Sequence, residues 1–491
     1  MLSSTNDEFY FEGDQYFNPE LQIDDSKKKI QVEKLLNPYR VNKSKIEKLI
    51  SLINHEIQLA FQEKPERSSN FPMINTFVTD FPNGTEVGDY IGIDIGGTNF
   101  RVVHLNLSKV GSNYKNKIEM EFFSVPANIR LGNCKQFFGF LASCIKSFVD
   151  KQNLKPNNGS SFIPLGFTFS FGFEQHAIDK GEVFQMGIAT NVYDVMGKDP
   201  VELLQQEMDA IQLPVRVVAL MNDATGTLIY GKYLDKNTFA GLILGSGTNI
   251  AYVEDVSRYR KISDPFKTFG KYVEKFVVNS EFPLFGDKGE MDSVKNKYDF
   301  QLDDASLTPH IYTYEKVTGG AFLGELLRFT LIDLVKNGLV LDGKLTDQLK
   351  TPASIQTASI SAFEYEFGNN GFNARDNTET RKLLINLGYE SNQITADDCS
   401  IVTFAGQLIT NRSAIFIASA VAVFADHMNL PEVKFACDGS LFKKHPKMER
   451  LINSYLSVMC PNRKVVVFSA DQGSGIGAAM LAAVVMDSSM K

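Results

Sequence analysis

Apolar and polar positions fall into blocks along the chain, and the period of the blocks changes. After Ser44, a candidate cap, Ile46, Leu49, Ile50, Ile53 and Ile57 recur at helical spacing and predict an amphipathic helix running to about Gln62. YIGIDIGGTNFRVVHLNL reads as two strands around a glycine turn, and PLGFTFSF as a further apolar strand. Asp199 followed by Pro200 is an N-cap with proline in the first turn, opening the helix VELLQQEM. VRVVALMND is a strand ending in polar residues, and FAGLILGSGTNIAYV is again strand, glycine turn, strand. From about residue 316 the pattern is mainly helical, with EKVTGGAFLGELLRFTLIDLVKNG and SAIFIASAVAVFADHM as strong helices. PEVKFACDGS and KVVVFSA are late strands, and GSGIGAAMLAAVVMDSS is a glycine turn entering a final helix. Residues 1 to about 25 are polar with scattered aromatics and read as a mobile arm.

Two of these stretches match each other. IDIGGTNFRVV and LILGSGTNIAYV share Gly-Thr-Asn between apolar flanks, beginning at Gly97 and Gly247. A repeat of strand, glycine turn and strand at so long a period implies two related lobes with a cleft between them. Strands and helices alternate in both halves, which is the α/β class.

Composition narrows the function classes. Hydrophobic residues make up 43% of the 491 positions and charged residues 22%, ample for large cores. A net charge of −8 with no long basic run argues against a nucleic-acid partner. The five cysteines, Cys134, Cys144, Cys399, Cys437 and Cys460, are odd in number and widely spaced, as expected of reduced thiols in a cytoplasmic protein. The acidic N-terminus lacks the apolar core of a signal peptide, and no apolar run approaches the roughly 18 residues of a membrane span.

Three glycine-rich turns suit phosphates, which need backbone N–H groups unobstructed by side chains: Gly96-Gly97-Thr98-Asn99, Gly245-Ser246-Gly247-Thr248 and Gly473-Ser474-Gly475-Ile476-Gly477. None is followed by the lysine of a Walker loop. Asp94, three residues before Gly97, is placed either to hold Mg²⁺ through water beside ATP phosphates or to cap the turn. Asp223 ends the strand VVALMND beside Asn222. It is either a proton acceptor for an attacking hydroxyl or a helix N-cap.

From about residue 30 to its end the chain resembles the hexokinase family. IGIDIGGTNFRV, PLGFTFSF, LMNDATGTL, LILGSGTNIAY, NSEFPLFGD, YEKVTGGAFLGELLR, CDGSLFKKHP and GSGIGAA follow one another in family order. The resemblance implies a two-lobed actin-like ATPase (ribonuclease H-like) α/β fold, closing on a sugar and on ATP with Mg²⁺. It implies a flexible arm over 1–29, a large domain of 30–75 plus 224–470, and a small domain of 76–223 plus 471–491, the family's N- and C-terminal parts being 30–230 and 235–486. It makes Asp223 the general base for a sugar 6-hydroxyl. It assigns Ser170, Asn222, Asn249, Glu281 and Glu315 to the sugar. Asp94, Gly96, Gly97, Thr98 and Asn99, with Arg101, match the first phosphate loop, and Ser246, Gly247 and Thr248 the second. Asp438, Gly439, Ser440 and Gly475 match the adenosine side. The partners so implied are a small sugar and ATP, with a monomer or weak homodimer as the assembly.

The chain departs from the family pattern in places. It has no tryptophan, and two usual tryptophan positions hold Met186 and Phe282. Gly187 and Ile188 replace a Thr-Lys pair that would touch the sugar, Gly172 replaces a proline, Tyr312 a glutamine and Ala224 a threonine. These changes gather on the sugar side, and Gly172 and Gly187 read as a pocket relieved of bulk. That pattern is similar to the divergent N-acetylglucosamine kinases of yeasts within the hexokinase family. The expected activity is therefore 6-phosphorylation of a hexose or hexosamine, N-acetylglucosamine ahead of glucose. The alternatives are a glucose-phosphorylating enzyme and a silent sugar-sensing regulator.

Overall fold

The computed structural model describes residues 19–62, 65–110, 113–156, 160–187, 190–370 and 377–489. Its strands are β1 (Ile74–Asn75), β2 (Gly88–Ile95), β3 (Asn99–Val110), β4 (Asn113–Ser124), β5 (Ile163–Phe169), β6 (Gly172–Ala177), β7 (Lys180–Gln185), β8 (Val215–Met221), β9 (Thr238–Leu244), β10 (Thr248–Asp255), β11 (Lys275–Asn279), β12 (Glu432–Asp438) and β13 (Lys464–Ser469). One sheet runs β4-β3-β2-β5-β8 and a second β1-β11-β10-β9-β12-β13. Apart from the edge strand β1, the two sheets have one plan. In each, three consecutive strands pair antiparallel, and two later strands join parallel beside the first. The two Gly-Thr-Asn stretches are the equivalent first hairpins of the two sheets, β2–β3 and β9–β10.

Each sheet is packed in its own apolar core. A third core joins them, built from Val103 and Leu105 of β3, Ala251 and Val253 of β10, and two helices, Asp223–Leu234 and Gly473–Ser489. Those helices cross closely. A Cβ on Gly477 would lie 1.8 Å from the Gly226 carbonyl oxygen, so the approach demands glycine. This corrects the reading of GSGIGAA as a turn: Gly473, Gly475 and Gly477 are inside the helix and serve packing.

Other boundaries differ from the sequence reading for identifiable reasons. The first amphipathic helix is Lys43–Phe61, capped by Asn42 and not Ser44, because the Asn42 side chain accepts from Lys45 N–H at 2.9 Å. Of the expected arm over 1–29, residues 1–18 lie outside the described residues, and 19–29 are packed on the large lobe. Leu21 is fully buried in the large core, and Asp25 caps the helix Ser26–Leu36. The helix expected from residue 315 breaks into Thr313–Thr318 and Leu323–Lys336 at Gly319-Gly320. SAIFIASAVAVFADHM is the second half of a 33-residue helix, Ala396–Met428, which begins with a capping box from Thr395 and Asp398. Among the described residues it alone is long and apolar enough to cross a membrane, contrary to the sequence expectation. Its most apolar stretch is 94% buried inside the protein, which makes it a core helix. The five cysteines are unbridged.

Candidate active site

Asp223 sits where β8 ends. Asn222 caps the following helix by accepting from Thr225 N–H at 3.0 Å, which leaves Asp223 as the first helical residue, half-buried, with Oδ1 accepting from Ala224 N–H at 2.8 Å. The N-cap alternative therefore falls to Asn222. Burial is the largest influence on the Asp223 carboxyl. With repulsion from Asp94, Glu281 and Asp438 it pushes the group up to about 8, against the opposing pull of the Ala224 amide. A carboxyl so placed exchanges its proton near neutral pH, as a general base requires.

The first glycine turn lies beside it. Asp94 stands opposite Arg101 in the β2–β3 register, and its carboxylate accepts from Arg101 at 3.1 Å, Ser474 Oγ at 2.6 Å and Ser170 Oγ at 3.4 Å. Gly97, Thr98 and Asn99 form the exposed tip, and Gly96 N–H closes the turn onto the Asn99 carbonyl at 3.1 Å. The Gly97 and Thr98 carbonyls are tied back by Thr190 Oγ and Val125 N–H. A turn held by its carbonyls has amide N–H groups to offer an anion.

The second turn is braced by the helix break. Gly320 and Ala321 donate N–H groups to the carbonyls of Gly245 and Ser246, at 2.8 and 2.9 Å. Glu315 accepts from Thr248 N–H at 3.0 Å, and a Cβ on Gly247 would lie 2.3 Å from the same carboxylate oxygen. Burial, with repulsion from Glu281, raises Glu315 to about 7 against the pull of the Thr248 amide. Glu281 takes a left-handed backbone (φ 49°) and accepts from Asn279 at 2.7 Å and Asn249 at 3.2 Å. Burial raises it too. The buried Asn222 Nδ2 has no hydrogen-bond partner among the described residues. A buried donor so placed gains from a ligand acceptor, on the order of 1–3 kcal/mol.

On the far side of the second turn, Asp438 accepts from Gly439 N–H at 2.7 Å and Lys443 at 2.8 Å. A cavity of about 1240 Å³ opens there, lined by Ser246, Phe322, Tyr365, Ser440 and Lys444 among others. Gly475 is not at this cavity. It packs against Val103 and Arg101 of β3, at the first turn, because the helix carrying it crosses the small sheet. Its neighbour Ser474 stood in the sequence only as part of the third glycine turn, without a role of its own. Its Oγ bonds Asp94 and its N–H points at Asp438 at 3.5 Å, so it links the two lobes' carboxylates. Asn279 was missed, although it lies two residues before Glu281.

Residues 31–233 and 239–484 match the two halves of the hexokinase family signature. The chain is 30% identical to the hexokinase of Schistosoma mansoni over 463 residues, which is 92% of this chain and 96% of that protein. The chain belongs to the hexokinase family. A hexokinase of Kluyveromyces lactis is 30% identical over 444 residues, 89% of this chain and 88% of the relative. Human hexokinase-1 is 29% identical over 476 residues, and the chain spans only 49% of it, about half its length. The solved structure of the Schistosoma hexokinase, complexed with glucose, superposes with a TM-score of 0.84 at 28% identity, covering 94% of this chain and all of that one. The architecture is thus the two-lobed actin-like ATPase fold.

Against that hexokinase frame, the departures are less concentrated on the sugar than the sequence implied. Phe282 is 1% exposed and meets Tyr314 edge-on at 5.2 Å, Ala224 is wholly buried in the joining core, and Met186 belongs to the small core. These three are packing positions. Gly172 and Gly187 do not open empty space. A Cβ on Gly172 would meet the Phe184 ring at 2.8 Å and Gln185 Cβ at 3.0 Å, and one on Gly187 would meet Phe171 at 3.3 Å. Larger neighbours occupy the volume the glycines vacate. Ile188 lies outside the described residues.

Proposed function

We propose that the protein transfers the γ-phosphoryl group of ATP to the 6-hydroxyl of a hexose or hexosamine. Asp223 carries this reading: a carboxyl at a strand end, raised to about 8 and facing Glu281 and Asp94. It takes the proton of the attacking hydroxyl. Glu281, Glu315, Asn249 and Asn222 hold the ring hydroxyls, each of which both donates and accepts. Ser170, bonded to Asp94, completes the sugar side.

The two glycine turns take the phosphates, with Arg101 and Ser474 fixing Asp94 between them, and Ser440, which follows Asp438 and Gly439, lines the cavity assigned to adenosine. Among the described residues no cluster of three acidic, histidine or cysteine groups could ligate an ion directly. The mutual repulsion of Asp94, Asp223 and Asp438 nevertheless favours a cation nearby. The residues present fit Mg²⁺ held on the ATP phosphates and reached by Asp94 through water. When bound, it neutralises charge on the transferring phosphates.

We take N-acetylglucosamine as the favoured sugar, on the absence of the Thr-Lys pair that would bind a plain hexose. Added room does not support this choice, since Phe184 and Phe171 fill it. Those rings favour glucose as the second reading, and the relative solved with glucose supports it. The proposed compartment is the cytoplasm, supported by the unbridged cysteines. A coupled ADP-release assay with Mg-ATP against glucose, mannose, fructose, glucosamine and N-acetylglucosamine tests the reading. A higher kcat/KM for N-acetylglucosamine supports it, a higher one for glucose replaces the substrate, and sugar binding with no turnover replaces the enzyme by a regulator.

A further inference from the structure

Three titratable side chains with no part in the chemistry above lie buried together in the large lobe. The side chains of Glu364, His445 and Lys447 are each at most 7% exposed. Glu364 Oε1 stands 3.3 Å from His445 Nε2, and Oε2 stands 3.2 Å from Lys447 Nζ. Thr410 Oγ1, on the helix Ala396–Met428, is 3.4 Å from the same His445 Nε2. His445 Nδ1 accepts from Lys447 N–H at 3.3 Å, so the ring proton lies on Nε2, between Glu364 and Thr410. Lys447 is thereby the cation that balances Glu364.

The cluster joins two walls of one cavity. Glu364 belongs to the helix Thr357–Asn370, whose Thr357, Ser361 and Tyr365, four residues apart, line the cavity of about 1240 Å³ assigned to adenosine. His445 directly follows the helix Ser440–Lys444, whose Ser440 and Lys444 line the same cavity. A five-residue helix does not hold its own place and takes it from what it is fastened to. One fastening is Lys443, which pairs with Asp438 at 2.8 Å. The other lies past its C-terminal end, through His445 and Lys447 to Glu364. The second glycine turn separates this cavity, lined by Ser246, from Glu315, which holds Thr248 N–H on the sugar side.

We propose that Glu364, with His445 and Lys447, fixes the spacing of the two walls that receive adenosine, and so sets nucleotide affinity from behind the cavity. This rests on the reading of that cavity as the adenosine site, but not on which sugar is phosphorylated. All three are positioning residues: they act through Ser440 and through the helix Thr357–Asn370. Stability alone does not account for the charges, since a buried ion pair is often no more stabilising than apolar residues of the same volume. What the pair adds is direction and distance between the walls, which an apolar contact would not impose.

The test uses the full chain with Glu364→Gln and with a double variant that adds Lys447→Met. The double variant leaves no unpaired buried charge, so it carries the test if the single one does not fold. Calorimetry measures binding of the non-hydrolysable analogue adenylyl imidodiphosphate with Mg²⁺, and of glucose and N-acetylglucosamine. Steady-state kinetics follow wherever turnover exists. Both variants are expected to weaken the analogue and raise KM for ATP about ten-fold, the order of one charge-assisted hydrogen bond. Sugar affinity, and kcat at saturating ATP, should stay within about two-fold. A folded double variant with wild-type nucleotide affinity, or equal losses of nucleotide and sugar, would overturn the proposal alone. A wild type that binds sugar but not the analogue would remove the adenosine reading and the proposal with it. Selective loss of nucleotide without any phosphotransfer would uphold the positioning role while removing the kinase reading.

Discussion

Replacing Asp223 by Asn keeps the shape of the group and removes its ability to accept a proton. Two effects of opposite sign follow. Turnover should fall by about two to four orders of magnitude, the usual worth of a positioned general base. Stability should rise. With an unperturbed carboxyl at 3.8 and Asp223 at about 8, the folded protein binds more protons than the unfolded chain throughout that interval. Stability from this group is thus fully present below about pH 4 and is lost as pH climbs to about 8. At pH 7 the linkage cost has a ceiling of about 4 kcal/mol, and solvent reaching the half-buried carboxyl reduces it to about 1–2 kcal/mol. The amide is relieved of that cost, so Asp223→Asn should unfold at higher denaturant than wild type at pH 7 and equally at pH 4. In the wild type only about one-tenth of free-cleft Asp223 is ionised at pH 7, so kcat/KM for sugar should climb with pH towards about 8. A denaturant melt and a coupled assay across pH 4–9 measure all three. An Asp223→Asn protein that is less stable at pH 7 and retains near-normal turnover would refute the reasoning.

Further substitutions separate the two ends of the cleft. Gly97→Val, at the exposed tip of the first turn, should raise KM for ATP and leave sugar binding by calorimetry unchanged. Gly247→Ala should damage both, because its Cβ lands on the Glu315 carboxylate, and a selective effect on ATP would show that the second turn moves freely of Glu315. Ser474→Ala removes the 2.6 Å bond to Asp94 and should raise KM for Mg-ATP about ten-fold with sugar KM unaltered, as steady-state kinetics would show. Arg412→Ala breaks a fully buried bidentate pair with Asp299 and should cost about 3–5 kcal/mol in denaturant unfolding, while activity per folded molecule is unchanged.

Local chemistry made much of this fold legible. The two Gly-Thr-Asn hairpins, the Asp199-Pro200 helix start and the strand ending at Asp223 each carry their signal within about ten residues. The misses lie where distant parts meet. Ser474 joins Asp94 across some 380 positions, so the pairing has no local pattern. Whether a glycine leaves a void depends on which ring packs there, and Phe184 and Phe171 decided that for Gly172 and Gly187. The helix break was written in the sequence as Gly319-Gly320, but the strong apolar period around it overrode the breaker. Its cause lies in the second turn, whose carbonyls Gly320 and Ala321 cap.

Phosphorus NMR of the reaction product tests the central claim most directly. Purified protein with Mg-ATP and N-acetylglucosamine or glucose should yield ADP and a phosphomonoester whose coupling places phosphorus on carbon 6, and the matching 6-deoxy sugar should bind but form no ester. A folded protein that binds sugar and ATP yet yields no sugar-dependent ADP, or one that esterifies the 6-deoxy sugar, would contradict the account.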